Sequence, residues 1–134
     1  MNAILLLKAM GEMGVRYPAS HIDEIIDYTT KMYDNGRIIT ISDPNGLFAV
    51  AFFSITDSPE EFLKKGELVY KSHDPVGKIV YLEKLVSRGW NRELRIEFET
   101  ELLKKYPNIT HGVWHRWAKW GDRKVIGKRR LQNV

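Results

Sequence analysis

The chain has 134 residues, of which 43% are hydrophobic and 28% charged, and its 21 Lys and Arg outweigh 17 Asp and Glu to give a formal net charge of +4. This mixture is typical of one globular domain over residues 1–134, and it argues against disorder or a collagen-like repeat. The absence of cysteine also argues against a disulfide framework and a thiolate metal site. No apolar run approaches the about 20 residues that span a bilayer, and no basic leader opens the sequence. We therefore expect a cytoplasmic protein without a membrane partner.

Two helices are predicted at the start of the chain. The first lies within residues 1–15, where apolar side chains cluster at helical spacing: Leu5, Leu6, Ala9, Met10 and Met13. The second is predicted to begin at an N-cap on Ser20 and to continue to Tyr33 with apolar residues at i, i+3 and i+4. Asn35-Gly36 supplies the left-handed residue that ends such a helix.

A β-hairpin is predicted next, from strands at residues 37–42 and 47–55. Between them, Pro44 presets the first turn angle and Gly46 accepts a positive φ without a steric clash. The second strand is apolar at successive positions, which predicts a place inside a covered sheet. After it, Ser58 is predicted to cap a short helix that ends near Gly66, and residues 68–71 are predicted to be extended.

The second half of the chain predicts a strand at residues 77–86, a helix over residues 91–106 and two further strands at residues 110–117 and 124–131. The last two strands are predicted to turn at Gly121-Asp122. A strand–helix–strand connection favours a right-handed crossover with parallel strands. The predicted fold class is therefore α+β, with a mixed, largely antiparallel sheet, helices on both faces and one parallel crossover in the C-terminal half.

The join between the predicted strand and helix, residues 85–94, is a candidate anion site. A strand that turns directly into a helix leaves backbone N–H groups pointing out of the helix start, where the helix dipole also attracts phosphate. Gly89 lets the backbone approach an anion closely, and Arg88 and Arg92 add positive charge. The alternative is an ordinary turn with a glycine and two surface arginines.

This turn, together with the order of the elements, resembles the GCN5-related N-acetyltransferase (GNAT) family. In that family the turn after the fourth strand has the pattern Gln/Arg-x-x-Gly-x-Gly/Ala and receives the pyrophosphate of acetyl-CoA on backbone amides, while the fourth and fifth strands splay to admit the pantetheine arm. The resemblance covers residues 20–117 by element order. It implies that the fourth strand is residues 78–86, the fifth is residues 110–117, and the cofactor-binding residues are Leu85, Val86, Ser87, Arg88, Gly89, Trp90, Asn91 and Arg92.

The sequence departs from the family pattern at several places. Only one glycine of the motif is present, no strand precedes the opening helices, and no helix fits between the last two strands. The tyrosine that the family often places after the fifth strand, as general acid for the departing thiolate, has no counterpart beyond Tyr106. The resemblance therefore implies a short, divergent GNAT-like domain that uses acetyl-CoA or another acyl-CoA.

If the domain is catalytic, an amine on a small molecule or a protein attacks the thioester directly, and a general base must remove the proton of the amine. Glu83 is the best candidate, because it is predicted to share a partly buried strand face with Ile79, Tyr81 and Leu85. The alternative is a carboxylate that is paired with a nearby cation or faces solvent. His115, or His111 on the same side of its strand, could substitute as the base, although a lone strand histidine is more often structural.

The C-terminal segment supports a second hypothesis. Residues 111–134 contain seven Lys and Arg against one Asp, a net charge of +6, and three of the four tryptophans: Trp114, Trp117 and Trp120. Basic residues interleaved with aromatic ones are typical of single-stranded nucleic-acid binding, although they also fit a hairpin with solvated cations and a tryptophan core. A third possibility is a non-catalytic interaction domain on the same fold. No metal is expected, because His111 and His115 have helical ligand spacing but lie in a predicted strand.

Overall fold

The computed structural model describes residues 2–56, 74–117 and 124–130, and for residues 114–117 and 124–130 it describes the backbone. The helices are α1 (Ala3–Glu12), α2 (Ile22–Asp34) and α3 (Arg92–Lys105), and a short 3₁₀ helix at Ala19–His21 precedes α2. The strands are β1 (Ile38–Asp43), β2 (Gly46–Thr56), β3 (Ile79–Ser87), β4 (His111–Trp117) and β5 (Lys124–Arg130). The short helix predicted after Ser58, the stretch at residues 68–71 and the turn at Gly121-Asp122 lie outside the described residues.

Local hydrogen bonds determine where α1 and α2 begin and end. The Asn2 side chain caps α1 by accepting a bond from the Leu5 amide at 2.9 Å. The predicted Ser20 cap of α2 is wrong, because Ser20 lies in the 3₁₀ helix, whose tighter turn is closed by a bond from the His21 amide to the Pro18 carbonyl at 3.0 Å. Gly36 follows the end of α2 with φ 68°, the left-handed conformation that was predicted for this position.

The strands form one sheet in the order β1–β2–β3–β4–β5. Neighbouring strands are antiparallel except β3 and β4, which are parallel and are connected through α3. In the β1–β2 hairpin, Gly46 has φ 117° and the Asn45 amide donates to Asp43 Oδ1 at 2.8 Å. The mixed, largely antiparallel α+β sheet was predicted from the sequence and is confirmed.

Strand β2 separates two hydrophobic cores, because helices cover both of its faces. The core between β2 and α3 contains Ala49, Ala51, Phe53, Ile55, Leu94, Phe98 and Leu102. The core between β2 and the helices α1 and α2 contains Leu6, Met10, Tyr28, Met32, Val50 and Phe52. The continuous apolar run of β2 thus has the buried place that its sequence predicts. Within the described part of the chain, no helix is both long and apolar enough to cross a membrane.

Candidate functional site

The two parallel strands of the sheet separate along their length. β3 and β4 are paired from Ile79–His111 to Leu82–Trp114 and, in the described backbone, no further. Beyond that point β3 stays paired with β2 as far as Ser87, and β4 stays paired with β5 as far as Trp117. The sheet therefore opens between its parallel strands on the side where β3 leads into α3. We call this opening the strand gap.

A β-bulge at Glu83 lies where the gap begins. Phe52 of β2 pairs with Lys84 and Phe53 pairs with Leu82, so Glu83 is the extra residue between them. Bulges bend a strand and increase its local twist. The bulge accounts for β3 turning away from β4 directly after Leu82.

The turn from β3 into α3, residues 88–91, is held from both ends. The Arg88 amide donates to the Phe48 carbonyl at 2.9 Å, and Arg88 Nε donates to the Leu47 carbonyl at 3.1 Å. The Asn91 side chain caps α3 by accepting a bond from the Leu94 amide at 2.8 Å. Arg88 and Asn91, both predicted to bind the cofactor, therefore also fix the geometry of the turn.

Backbone amides at this turn have no acceptor within the described residues. These are the amides of Gly89, Trp90, Asn91, Arg92 and Glu93. They belong to the turn and to the first residues of α3, where N–H groups have no intrahelical partner and the helix dipole favours an anion. The turn therefore presents donors next to the strand gap.

Gly89 is not required by the fold itself. A Cβ atom at this position would meet Phe48 Cζ at 3.8 Å, an ordinary contact, and the φ of Gly89 is not left-handed. Neither the packing of the described residues nor the backbone angle requires a glycine here, and within the described part of the chain the space beside it is open.

A cavity of about 270 Å³ lies between the sheet and α3, beside the strand gap. Most of its wall is apolar, and Phe53, Leu82, Phe98 and Leu102 are among the side chains that form it. The Trp90 indole is half-exposed, lines the cavity and stacks on Phe98 with ring centroids 6.1 Å apart. We refer to this space as the apolar cavity.

Glu83 is held in an ion pair on the opposite side of the sheet. Its carboxylate lies 3.3 Å from Arg37 Nη2 and accepts a bond from Ser54 Oγ at 2.6 Å, and the side chains of Arg37 and Glu83 are 0% and 2% exposed. Arg37 also donates to Ser54 Oγ, and Tyr28 hydrogen-bonds to Glu83. The sequence allows two roles for Glu83, a general base or a carboxylate paired with a nearby cation, and the structure shows the pairing. No signal in the sequence pointed to Arg37 or Ser54.

The bulge also corrects the predicted strand face. Tyr81 lies near Tyr28, on the α2 side, as does Glu83, but Leu85 lines the apolar cavity on the α3 side. The prediction that Leu85 shares the face of Glu83 is wrong, because the extra residue interrupts the alternation of side chains. Val86, by contrast, packs against the core formed by α1 and α2.

The remaining predicted residues occupy different parts of the site. Ser87 ends β3 and pairs with Ala49, and Arg92 is the exposed first residue of α3. His111 pairs with Ile79 at the closed end of the parallel pair, three residues or about 10 Å along the strand from the point where the gap begins. The backbone of His115 lies just beyond the last β3–β4 pair, and its side chain lies outside the described residues, as do those of the three C-terminal tryptophans. Residues 2–56 and 74–113 contain no group of three or more potential metal ligands.

Burial raises the pKa of Tyr28 well above its ordinary value of 10.0, and the negative charge of Glu83 acts in the same direction. The Tyr28 hydroxyl therefore stays protonated and donates to the Glu83 carboxylate. Arg37, Ser54, Glu83 and Tyr28 form one buried polar network, and we call it the Arg37 network.

Comparison with known proteins supports the fold. No protein-family model matches the sequence, and no curated protein matches it either. Among solved structures, the chain is similar to GphF, a GNAT-like decarboxylase in complex with isobutyryl-CoA, with a TM-score of 0.61 and 14% sequence identity. The fold is GNAT-like. The GNAT resemblance carried by the order of the elements is therefore confirmed at the level of the fold.

The similarity to GphF is partial in length. It covers 90% of this chain and 66% of the GphF chain, so this GNAT-like domain spans just under two thirds of that structure. At 14% identity the likeness extends to the fold, and the activity of this chain has to be argued from its own residues.

Proposed function

We propose that this GNAT-like domain binds an acyl-CoA and transfers its acyl group to an amine. The observation that supports this proposal is the strand gap, which begins after the Leu82–Trp114 pair and lies beside a turn whose amides have no acceptor among the described residues. The amides of residues 89–93 would receive the diphosphate, and the gap would receive the pantetheine arm. The isobutyryl-CoA of the GphF complex supports an acyl-CoA as the ligand class.

The proposed reaction needs three parts. The amine attacks the thioester carbonyl, a C–N bond forms, and the C–S bond breaks to release the CoA thiolate. Strand edges that no longer pair across the gap leave backbone groups that can polarise the carbonyl. A general base must take the proton of the amine, and His115 and Glu83 remain the proposed candidates. For Glu83 this role requires the carboxylate to leave at least one of the partners it has in the Arg37 network.

A second candidate reaction is decarboxylation of a carboxyacyl-CoA. Two observations favour it: GphF is a decarboxylase, and within the described residues Arg95 Nε, on the wall of the apolar cavity, has no hydrogen-bond partner. Arg95 would receive the carboxylate before the C–C bond breaks and the thioester enolate takes up a proton. Incubation with malonyl-CoA separates the reactions, since carbon dioxide without an acceptor product indicates decarboxylation.

Binding of nucleic acid through residues 111–134 stays a prediction that rests on the charge of this segment. A single-stranded oligonucleotide would then bind with an affinity that falls steeply as salt rises. Acyl-CoA and oligonucleotide can be compared in one thermal-unfolding experiment.

The proposed function predicts that acetyl-CoA stabilises the protein against heat. At a free concentration of about one hundred times Kd, a ligand that binds the folded state alone adds about 2.7 kcal/mol, which corresponds to several degrees in Tm. We expect coenzyme A to produce a similar shift, because the diphosphate and pantetheine supply the contacts. Equal Tm values with and without millimolar acetyl-CoA and coenzyme A would contradict the proposal.

A further inference from the structure

The apolar cavity extends from the turn into the interior. At the turn end lie Leu85 and Trp90, which are 36% and 50% exposed. At the inner end lie Val80 and Gly112, which are paired with each other in the closed part of the parallel strands. Along α3 the wall runs from Arg95 to Leu102, about 10 Å of helix. The cavity therefore reaches from the turn to the paired part of the parallel strands.

The wall of the cavity suits a hydrocarbon. Among the described side chains that line it, only those of Arg95 and Glu99 are charged, and these lie one helical turn apart with Nε and Oε1 separated by 4.0 Å. The Arg95 side chain is about a third exposed and belongs to the first turn of α3, next to the entrance. The described lining residues farther along α3 and in the sheet are apolar: Phe98, Leu102, Val80, Gly112 and Val113.

The volume of the cavity sets how many carbon atoms it can bury. A cavity of about 150 Å³ holds a benzene molecule, or about 25 Å³ for each carbon atom. At that packing, the about 270 Å³ of the apolar cavity holds roughly ten carbon atoms. A pantetheine arm is larger, and among the described side chains of the wall its amide and hydroxyl groups would find charged partners at Arg95 and Glu99 alone, so that the polar groups buried deeper would be unfavourable.

We infer that the apolar cavity is the acyl-chain pocket, and that this domain selects acyl-CoA thioesters with medium-length, unbranched chains of about eight to ten carbons. This inference rests on the proposed acyl-CoA function and specifies its substrate class. The pantetheine arm occupies the strand gap, the thioester lies near the bulge at Glu83, and the chain enters the cavity between the sheet and α3. Short chains leave most of the cavity empty, and long chains exceed it.

The test is a series of dissociation constants for coenzyme A and for its thioesters with acyl chains of 2, 4, 8 and 16 carbons. Each methylene that moves from water into an apolar site tightens binding about fourfold. Allowing for incomplete burial, we expect the eight-carbon thioester to bind at least a hundredfold more tightly than acetyl-CoA, with no further gain at sixteen carbons.

Two variants of β2 test whether the chain-length preference arises in the apolar cavity. Ala51 lines the cavity, and Ala51→Leu adds three carbon atoms to its interior. Ala49 is buried on the same face of the same strand but does not line the cavity, so Ala49→Leu is the matched control. Ala51→Leu should weaken the eight-carbon thioester more than tenfold and leave coenzyme A and acetyl-CoA within threefold. Ala49→Leu should leave the chain-length preference unchanged.

The outcomes separate the inference from the function on which it rests. If coenzyme A and acetyl-CoA bind but Kd does not depend on chain length, the acyl-chain pocket is wrong and the proposed function stands. If Ala51→Leu weakens coenzyme A as much as the eight-carbon thioester, the cavity holds the pantetheine arm and the inference is overturned. If no thioester binds to the wild-type protein, the proposed function itself fails. If Ala51→Leu does not fold, the wild-type series alone still separates the first of these outcomes from the third.

Discussion

Replacing Glu83 with alanine is expected to lower the free energy of unfolding by about 3–5 kcal/mol, because it leaves the fully buried Arg37 guanidinium without its counter-charge. The same change removes the acceptor of Ser54 Oγ and of the Tyr28 hydroxyl. Urea unfolding at pH 7, followed by far-UV circular dichroism, measures the loss. A Glu83→Ala protein within about 0.5 kcal/mol of wild type would contradict the Arg37 network as a unit.

Two further variants distinguish a structural carboxylate from a catalytic one. Removing both charges, with Arg37→Met and Glu83→Leu together, should cost less than the sum of the two single variants, since no buried charge is left unpaired. Glu83→Gln keeps an acceptor for Ser54 and Tyr28 and should fold more stably than Glu83→Ala. If Glu83 is the general base, Glu83→Gln loses acyl transfer while its Kd for acetyl-CoA stays near that of wild type.

The pH dependence of stability reports on Tyr28 in the same network. The pKa of Tyr28 is raised in the folded protein. Tyr28 therefore contributes fully to the free energy of unfolding at pH values below its ordinary pKa of 10.0, and this contribution is lost as the pH rises above that value. The stability difference between wild type and Tyr28→Phe should therefore be constant from about pH 7 to 9 and shrink at higher pH. A stability difference that stays constant up to pH 11 would show that the pKa of Tyr28 is not raised in the folded state.

Replacing Gly89 with leucine is expected to weaken acetyl-CoA binding by about a hundredfold. The leucine side chain would occupy the space through which a diphosphate approaches the turn, and each lost hydrogen bond to a charged group costs about 1.5–3 kcal/mol. The folded state should tolerate the change, because among the described residues the contact of a Cβ atom at Gly89 is with Phe48 Cζ, at an ordinary 3.8 Å. Isothermal titration calorimetry gives Kd, and a thermal scan without ligand gives the stability.

Gly11→Leu is the matched control for this experiment. Gly11 lies in α1, has no atom within 4 Å of the position of an added Cβ, and does not have a left-handed φ. Both leucine variants should unfold within a few degrees of wild type, whereas binding falls in Gly89→Leu alone. Equal Kd values in the two variants would remove the turn from the binding site.

Most helix ends and turns could be predicted from the sequence, because they depend on residues that are close together along the chain. Gly36 and Gly46 have the positive φ angles that their places after a helix and in a hairpin require. Asn91 caps α3 through its own side chain, which fixes where β3 leads into the helix. The helix over residues 91–106 was likewise predicted from the sequence, although its role as a cavity wall depends on the sheet facing it.

The parts of the site that the sequence did not predict depend on distant partners. Glu83 is 46 residues from Arg37 along the chain, and nothing in the local pattern connects them. The bulge at Glu83 arises from the pairing of β3 with β2, so strict alternation placed Leu85 on the wrong face. The error at Ser20 has a different, local cause: this residue lies in a 3₁₀ helix and therefore does not cap α2.

The proposed function depends on diphosphate binding at the turn after β3, which amide-resolved nuclear magnetic resonance measures residue by residue. On titration with coenzyme A, we expect large, saturable shifts at the amides of Gly89, Trp90, Arg92 and Glu93, which have no acceptor within the described residues. Saturating coenzyme A that leaves these amides unshifted, or that instead shifts residues 124–130, would contradict it.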